Sequence, residues 1–212
     1  MVLYWQDRWQ EGVRAVKGWL IAGIAVGLTA VVLLHDTNLI HKATKHALPM
    51  ERDPLHRVRA WSEIARVAGA AREQLAAGGR PAFIITGHYG LVGEITFYLP
   101  AARAVVKDQP LVYFRSADRP QNQYYFWPSY REQRRGEDAI FIQELDRPTM
   151  NFKQTLQAFL TGEVDPTPPP GEAPPDELLK EFRSVTNLGV TPIAYRGQAF
   201  RWVQLFVCRE LQ

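Results

Sequence analysis

With 212 residues, an ordinary globular composition and a formal charge of only +3, the chain can bury one good core. Its charge excess is too small for a nucleic-acid-binding surface, and no run of Lys and Arg interleaved with aromatics outlines a polynucleotide groove. The single cysteine, Cys208, excludes an internal disulfide and a cysteine zinc site; set in an apolar strand-like run, it reads as buried packing.

Residues 1–17 form a short aromatic segment. Trp5, Trp9, Val13 and Val16 recur at three- and four-residue spacing, with Arg8, Arg14 and Lys17 around them. That stripe suits a juxtamembrane helix lying in a bilayer interface, or a helix packed on protein. Residues 18–35 follow as the expected transmembrane helix. Gly18 to Leu34 carries no charge and is apolar on every face, at the short end for a membrane span. A buried core helix is the main alternative. A cleaved signal peptide fits less well, because acidic residues precede the run and no small-x-small site follows it. Basic residues flank both ends, so the positive-inside rule leaves orientation open.

Residues 36–52 read as a polar connector. His35, His41 and His46 lack the spacing of a helical metal pair, and no other pattern implies a metal or cofactor. Residues 53–212 read as a soluble α/β domain. Asp53-Pro54 is a standard helix opening, Val58 to Leu75 supplies one apolar face, and Gly78-Gly79 stops it. A buried strand is expected at Ala82–Ile85, then a tight turn at Gly87-His88-Tyr89-Gly90, then a helix from Leu91 to Leu99. Further strands are expected at 110–114 and 138–143, with a long aromatic loop between them. A helix around Phe152–Leu160 and an exposed Pro-rich loop at 165–176 come next. Strand-like runs at 182–188, 190–195 and 199–207 close the chain, the last two joined by a turn at Arg196-Gly197-Gln198. The fold class is therefore α/β: a small mixed sheet with flanking helices, preceded by one transmembrane helix.

Ligands of open α/β sheets sit beyond the carboxyl ends of the strands, so the 87–94 turn is the first candidate site. Gly87, Gly90 and Gly93 do not have dinucleotide spacing and are better read as permitting a tight turn. His88 and Glu94 could act as an acid–base pair, but no nucleophile stands near them in sequence, and His88 is equally suited to a hydrogen-bonded turn. Glu94 could instead pair with Arg115 or Arg119. In the long loop, Asn122, Gln123, Tyr124 and Trp127 combine amides with flat rings, the chemistry that sugars need. The opposing reading is a loop anchored by its own aromatics. Arg131, Arg134 and Arg135 could attract a lipid phosphate or form a solvated face. Asp176-Glu177 reads as helix N-terminal charge.

The succession Gly87-His88-Tyr89-Gly90, Glu94, Phe97-Tyr98-Leu99-Pro100, Arg119, Asn122-Gln123-Tyr124, Phe126-Trp127-Pro128 and Gly136 before a strand resembles a known pattern. It is similar to the C-terminal soluble domain of bacterial multi-spanning GT-C glycosyltransferases. These are the protein O-mannosyltransferase-like and lipid A aminoarabinose transferase-like enzymes. The resemblance covers roughly Asp53 to the end, with 18–35 standing where the last membrane helix would be. Tyr125 departs from it, at a position where an acidic residue is common. The early loop carrying that family's catalytic acid has no counterpart here.

The resemblance implies the C-terminal portion of an inner-membrane enzyme using a polyprenyl-phosphate-linked sugar donor, its soluble domain periplasmic. That domain would cover the membrane active site or assist the glycan acceptor, without being catalytic alone. The bilayer and the lipid-linked sugar or acceptor are the implied partners, and nucleic acid is not one. His88, Tyr89, Glu94, Arg119, Asn122, Gln123, Tyr124 and Trp127 are then the candidate substrate-binding residues. The rival readings are a membrane-anchored interaction module and an autonomous enzyme using the 87–94 turn.

Overall fold

The computed structural model describes residues 2–36, 39, 42–43, 45, 53, 55–117, 119–120, 122–146, 152–161, 167–195 and 198–212. Most of the expected 36–52 connector, Pro54, Pro166 and the turn residues Arg196 and Gly197 lie outside them. The chain divides into two compact units: Met1–Arg57 with Asn151–Glu163, and Val58–Met150 with Val164–Gln212.

In the first unit, α1 (Val2–Gln10) and α2 (Arg14–His35) are separate helices. Gly12, at φ 76°, breaks the expected 1–17 stripe between Trp9 and Val13. The apolar helix accordingly begins at Arg14 rather than Gly18. Its mean hydropathy of 2.0 and 22-residue length make it long and apolar enough to cross a membrane. Lys17 Nζ lies 5.2 Å from the Trp9 ring centroid, and the Arg8 guanidinium 5.4 Å from that of Tyr4, so both rings carry cations on their faces. Asp53 Oδ1 accepts from the Leu55 amide at 2.9 Å, capping a tight turn rather than a long helix.

The second unit is built on a five-stranded mixed sheet in the order β2-β1-β3-β5-β4. Strands β1 (Ala82–Thr86), β2 (Val112–Phe114) and β3 (Asp138–Leu145) are parallel, with Ile84 opposite Val112 and Ile140. The expected three C-terminal runs are two long strands, β4 (Phe182–Tyr195) and β5 (Gln198–Leu211), paired antiparallel to each other and, through β5, to β3. Asn187 and Gly189 (φ 93°) mark an irregularity in β4 that the sequence reads as a break. Cys208 is buried in β5, where burial pushes its thiol up to about 12.

Helix α3 (Trp61–Ala76) packs with α4 (Tyr89–Tyr98) against β1. It starts at Trp61, not at Asp53, because Ala60 adopts the left-handed φ of 64°. Its entry is tied to the far end of the sheet: the Arg201 guanidinium lies 4.2 Å from the Trp61 ring centroid, and that of Arg59 5.1 Å from Tyr195. Gly69 lets Leu99 approach: a Cβ there would stand 2.7 Å from Leu99 Cδ1. Pro100 opens α5 (Pro100–Val105). Given the strand order, right-handed crossovers place α4 and α5 on one face and α6 (Tyr130–Gln133) on the other. Around Phe83 the rings of Tyr113, Tyr130 and Phe182 lie 5.6, 5.6 and 6.4 Å away by centroid. The last two helices are α7 (Phe152–Thr161), in the first unit, and α8 (Asp176–Glu181).

The Pro-rich segment is more than an exposed connector. The buried Gln204 of β5 accepts from the Glu172 amide at 2.8 Å and donates to its carbonyl at 3.0 Å. Residues 171–172 thus add to the sheet surface through a side-chain amide in place of a strand.

Phe83 has no exposure and sits among three rings. Phe83→Ala should therefore destabilise the second unit by about 3–5 kcal/mol, read from denaturant unfolding. A loss below about 1 kcal/mol would remove Phe83 from the centre of this core.

Candidate functional site

The carboxyl ends of β1 and β2 lead into two surface segments, the 87–94 turn and the 115–131 loop. Thr86, buried at the end of β1, places Oγ1 3.1 Å from the His88 carbonyl and 3.3 Å from that of Tyr113. One hydroxyl thus holds the turn against β2. Gly87 permits the chain to leave the sheet closely backed by β3: a Cβ there would meet Gln143 Cβ at 3.0 Å and Phe141 Cζ at 3.3 Å.

His88 is the N-cap of α4, and its Nδ1 accepts from the Gly90 amide at 3.1 Å. An Nδ1 engaged as acceptor leaves the neutral ring its proton on Nε2. The ring stacks on Tyr89, with centroids 4.3 Å apart. Its primary work is therefore capping, the blander of the two expectations. Glu94 is half-buried and makes no hydrogen bond or ion pair among the described residues. The expected pairing with Arg115 or Arg119 is absent, and so is any contact that would make His88 and Glu94 a proton relay.

The 115–131 loop is closed at its base by one carboxylate. Glu181, buried at the end of α8, accepts from Ser116 Oγ at one loop end and from Tyr130 Oη and Arg131 at the other. The Ser116 amide also donates to Tyr130 Oη at 3.2 Å. Burial first, and the adjacent Glu181 carboxylate second, push the Tyr130 phenol well above its usual range. Arg131 is thus a structural cation. Arg134 is another: it is buried and donates to the carbonyls of Gln109 and Pro110 at 3.1 and 2.6 Å. Both guanidiniums are thus engaged within the fold, Arg134 buried and Arg131 at the surface. Glu181 is the residue that sequence reasoning missed, since a glutamate at a short helix end carries no distinguishing pattern.

Within the loop, Asn122 Oδ1 accepts from the Tyr124 amide at 3.0 Å and caps a 3-10 turn over Gln123–Phe126. Phe114 of β2 receives Tyr124 and Tyr125, at 6.2 and 5.6 Å, so the loop is anchored by its own rings. Tyr124 meets Trp127 edge-on at 4.8 Å, and its hydroxyl would stand 3.8 Å from a Cβ at Gly93 of α4. The turn and the loop therefore meet at Gly93, where Tyr124 and Trp127 come up beside the helix that carries Tyr89 and Glu94. Gln123 and Arg119 are exposed, and Arg119 has no ion pair among the described residues. The Tyr125 hydroxyl is shielded from water and has no hydrogen-bond partner among the described residues.

Among the described residues no group of His, Cys, Asp and Glu could hold a metal ion. No protein-family model, curated protein or solved structure matches the chain. The site must therefore be read from its own chemistry: among the described residues it offers aromatic rings, amides and the unpaired Glu94 carboxylate, with no assembled nucleophile and base.

Burial raises the phenols of Tyr113, Tyr124 and Tyr125 above their usual 10.0, with Arg134 opposing the rise at Tyr113 and Arg115 at Tyr125. The folded protein holds these protons more tightly than the unfolded chain. Their contribution to stability is intact below pH 10.0 and lost as pH rises beyond it. Phenolate absorbance should show several late-ionising groups, with one fewer in Tyr124→Phe. Ionisation of all tyrosines in a single step near pH 10.0 would contradict the packed loop.

Proposed function

We propose that this chain is the C-terminal portion of a membrane glycosyltransferase that uses a polyprenyl-phosphate-linked sugar. In this reading α2 is its last membrane helix, and the α/β unit is a periplasmic domain at the inner membrane. The domain covers the membrane active site or helps seat the glycan acceptor, and it does not transfer sugar alone. The observation that carries the reading is the surface shared by the 87–94 turn and the aromatic loop. Its rings suit the C–H faces of sugars, and its amides and the Glu94 carboxylate suit hydroxyls. Among its described residues the same surface pairs no nucleophile with a base, which supports an accessory role. A helix of the same chain that is long and apolar enough to cross a membrane supports a lipid-linked substrate.

The test uses the full chain in lipid nanodiscs with polyprenyl-phosphate-linked hexose and pentose donors and a panel of glycan acceptors. The reading predicts no transfer, with measurable glycan binding that Trp127→Ala weakens about tenfold, as expected for one lost ring contact. Turnover abolished by His88→Ala or Glu94→Ala would instead identify an autonomous enzyme. Absence of any glycan binding would favour a membrane-anchored interaction module.

A further inference from the structure

Helix α4 exposes Tyr89, Gly93 and Phe97 at successive four-residue steps, so they form one stripe along its length. Tyr89 is 54% exposed and Phe97 61%, and Tyr98 stands 5.0 Å from Phe97 by ring centroid. Gly93, in the middle of the stripe, is where Tyr124 of the loop approaches, and Tyr124 carries Trp127 on its edge. Trp127 is 57% exposed and Phe126, at the loop tip, 81%. Five large rings, Tyr89, Phe97, Tyr98, Phe126 and Trp127, are thus uncovered on two segments that meet where Tyr124 approaches Gly93. Exposed apolar surface of this kind marks an interaction site.

We propose that this aromatic surface seats itself in the headgroup layer of the bilayer that α2 crosses. Three observations favour lipid over a protein groove. The exposed residues are Tyr, Phe and Trp, the types that favour the membrane–water interface, whereas Leu91, Val92 and Ile95 of the same helix are buried. Charge is sparse: across α4 and the described part of residues 119–128 the only charged side chains are Glu94 and Arg119. A shallow, weakly charged aromatic face suits insertion among headgroups and offers little to a charged partner. Finally, only about 25 residues separate the end of α2 from the start of α3, a reach of at most about 90 Å. Such a tether keeps the domain beside the bilayer at high effective concentration, so weak insertion suffices to hold it.

The proposal requires α2 to span the bilayer. It does not depend on the glycosyltransferase reading, since any bilayer-tethered domain could use the surface. It assigns these rings to positioning the domain, with its 87–94 turn held at headgroup level.

The test is spin-label accessibility in the full chain, one copy per nanodisc of mixed phosphatidylcholine and phosphatidylglycerol. Cys208 is buried, so a label goes to an introduced cysteine. Phe126→Cys reports on the loop tip, Ile24→Cys on α2 and Arg183→Cys on the exposed outer strand. Oxygen should relax the labels at 126 and 24 several-fold more than a water-soluble nickel complex does, with the reverse at 183. Adding Trp127→Ser and Phe97→Ser should move the label at 126 into the nickel-accessible class while leaving that at 24 unchanged. A label at 126 as nickel-accessible as that at 183 would overturn the proposal. So would shielding of 126 from both reagents, which would mean that protein covers the surface. A nickel-accessible label at 24 would overturn it through α2 instead, leaving the sugar-binding assay as the separate test of function.

Discussion

The candidate surface depends on the buried Glu181 carboxylate. It accepts from Ser116 at one end of a loop and from Tyr130 and Arg131 at the other, so it closes the loop at its base. Tyr130 also fills the core beside Phe83, and Glu181 immediately precedes Phe182 of β4, which packs on the same ring. The loop's closure thus stands beside the packing of one sheet face, through Tyr130 and Phe182. A buried carboxylate is costly without partners; here two hydroxyls and a guanidinium satisfy it. Removing any one of them leaves the others short of a partner, which is why the unit is expected to behave as a cluster.

On that base the loop places its rings. Phe114 at the end of β2 receives Tyr124 and Tyr125, and Tyr124 passes the contact on to Gly93 and Trp127. The most chemical-looking residues of the turn are largely spent on building it. His88 caps a helix and Asn122 caps a 3-10 turn, while Thr86 joins the turn to the neighbouring strand. What remains available is Glu94, Arg119, Gln123 and the exposed rings. That remainder is suited to holding a sugar or a bilayer surface and poorly suited to moving protons.

Much of the sheet was legible because its strands are short apolar runs bounded by Pro and Gly: Pro81 before β1, Pro110 before β2 and Gly136 before β3. The closing strands were legible as β-structure, yet the sequence pattern divides β4 at Leu188-Gly189, where a local irregularity lets one strand continue. The start of α3 was misplaced because Asp53-Pro54 has the local form of a cap, while Arg59 and Trp61 are held by Tyr195 and Arg201, more than 130 positions away. No local pattern encodes such contacts. The same holds for Gln204 with Glu172 and for Glu181 with Ser116 and Arg131. Each is a polar residue whose role is decided by what the topology brings to it. At the site, the capping role of His88 was among the sequence readings, whereas the roles of Arg131 and Arg134, as cations bonded within the fold, followed from tertiary hydrogen bonds.

Hydrogen exchange on the full chain with Glu181→Gln tests the central claim most directly, since that substitution keeps the shape and removes the charge. Amides of residues 116–131 should exchange about tenfold faster or more, as expected for the loss of a charge-assisted hydrogen-bond cluster, while those of α3 and β1 keep their protection. Unchanged exchange across 116–131, or an equal acceleration throughout the α/β unit, would show that Glu181 does not close the loop on which this surface is built.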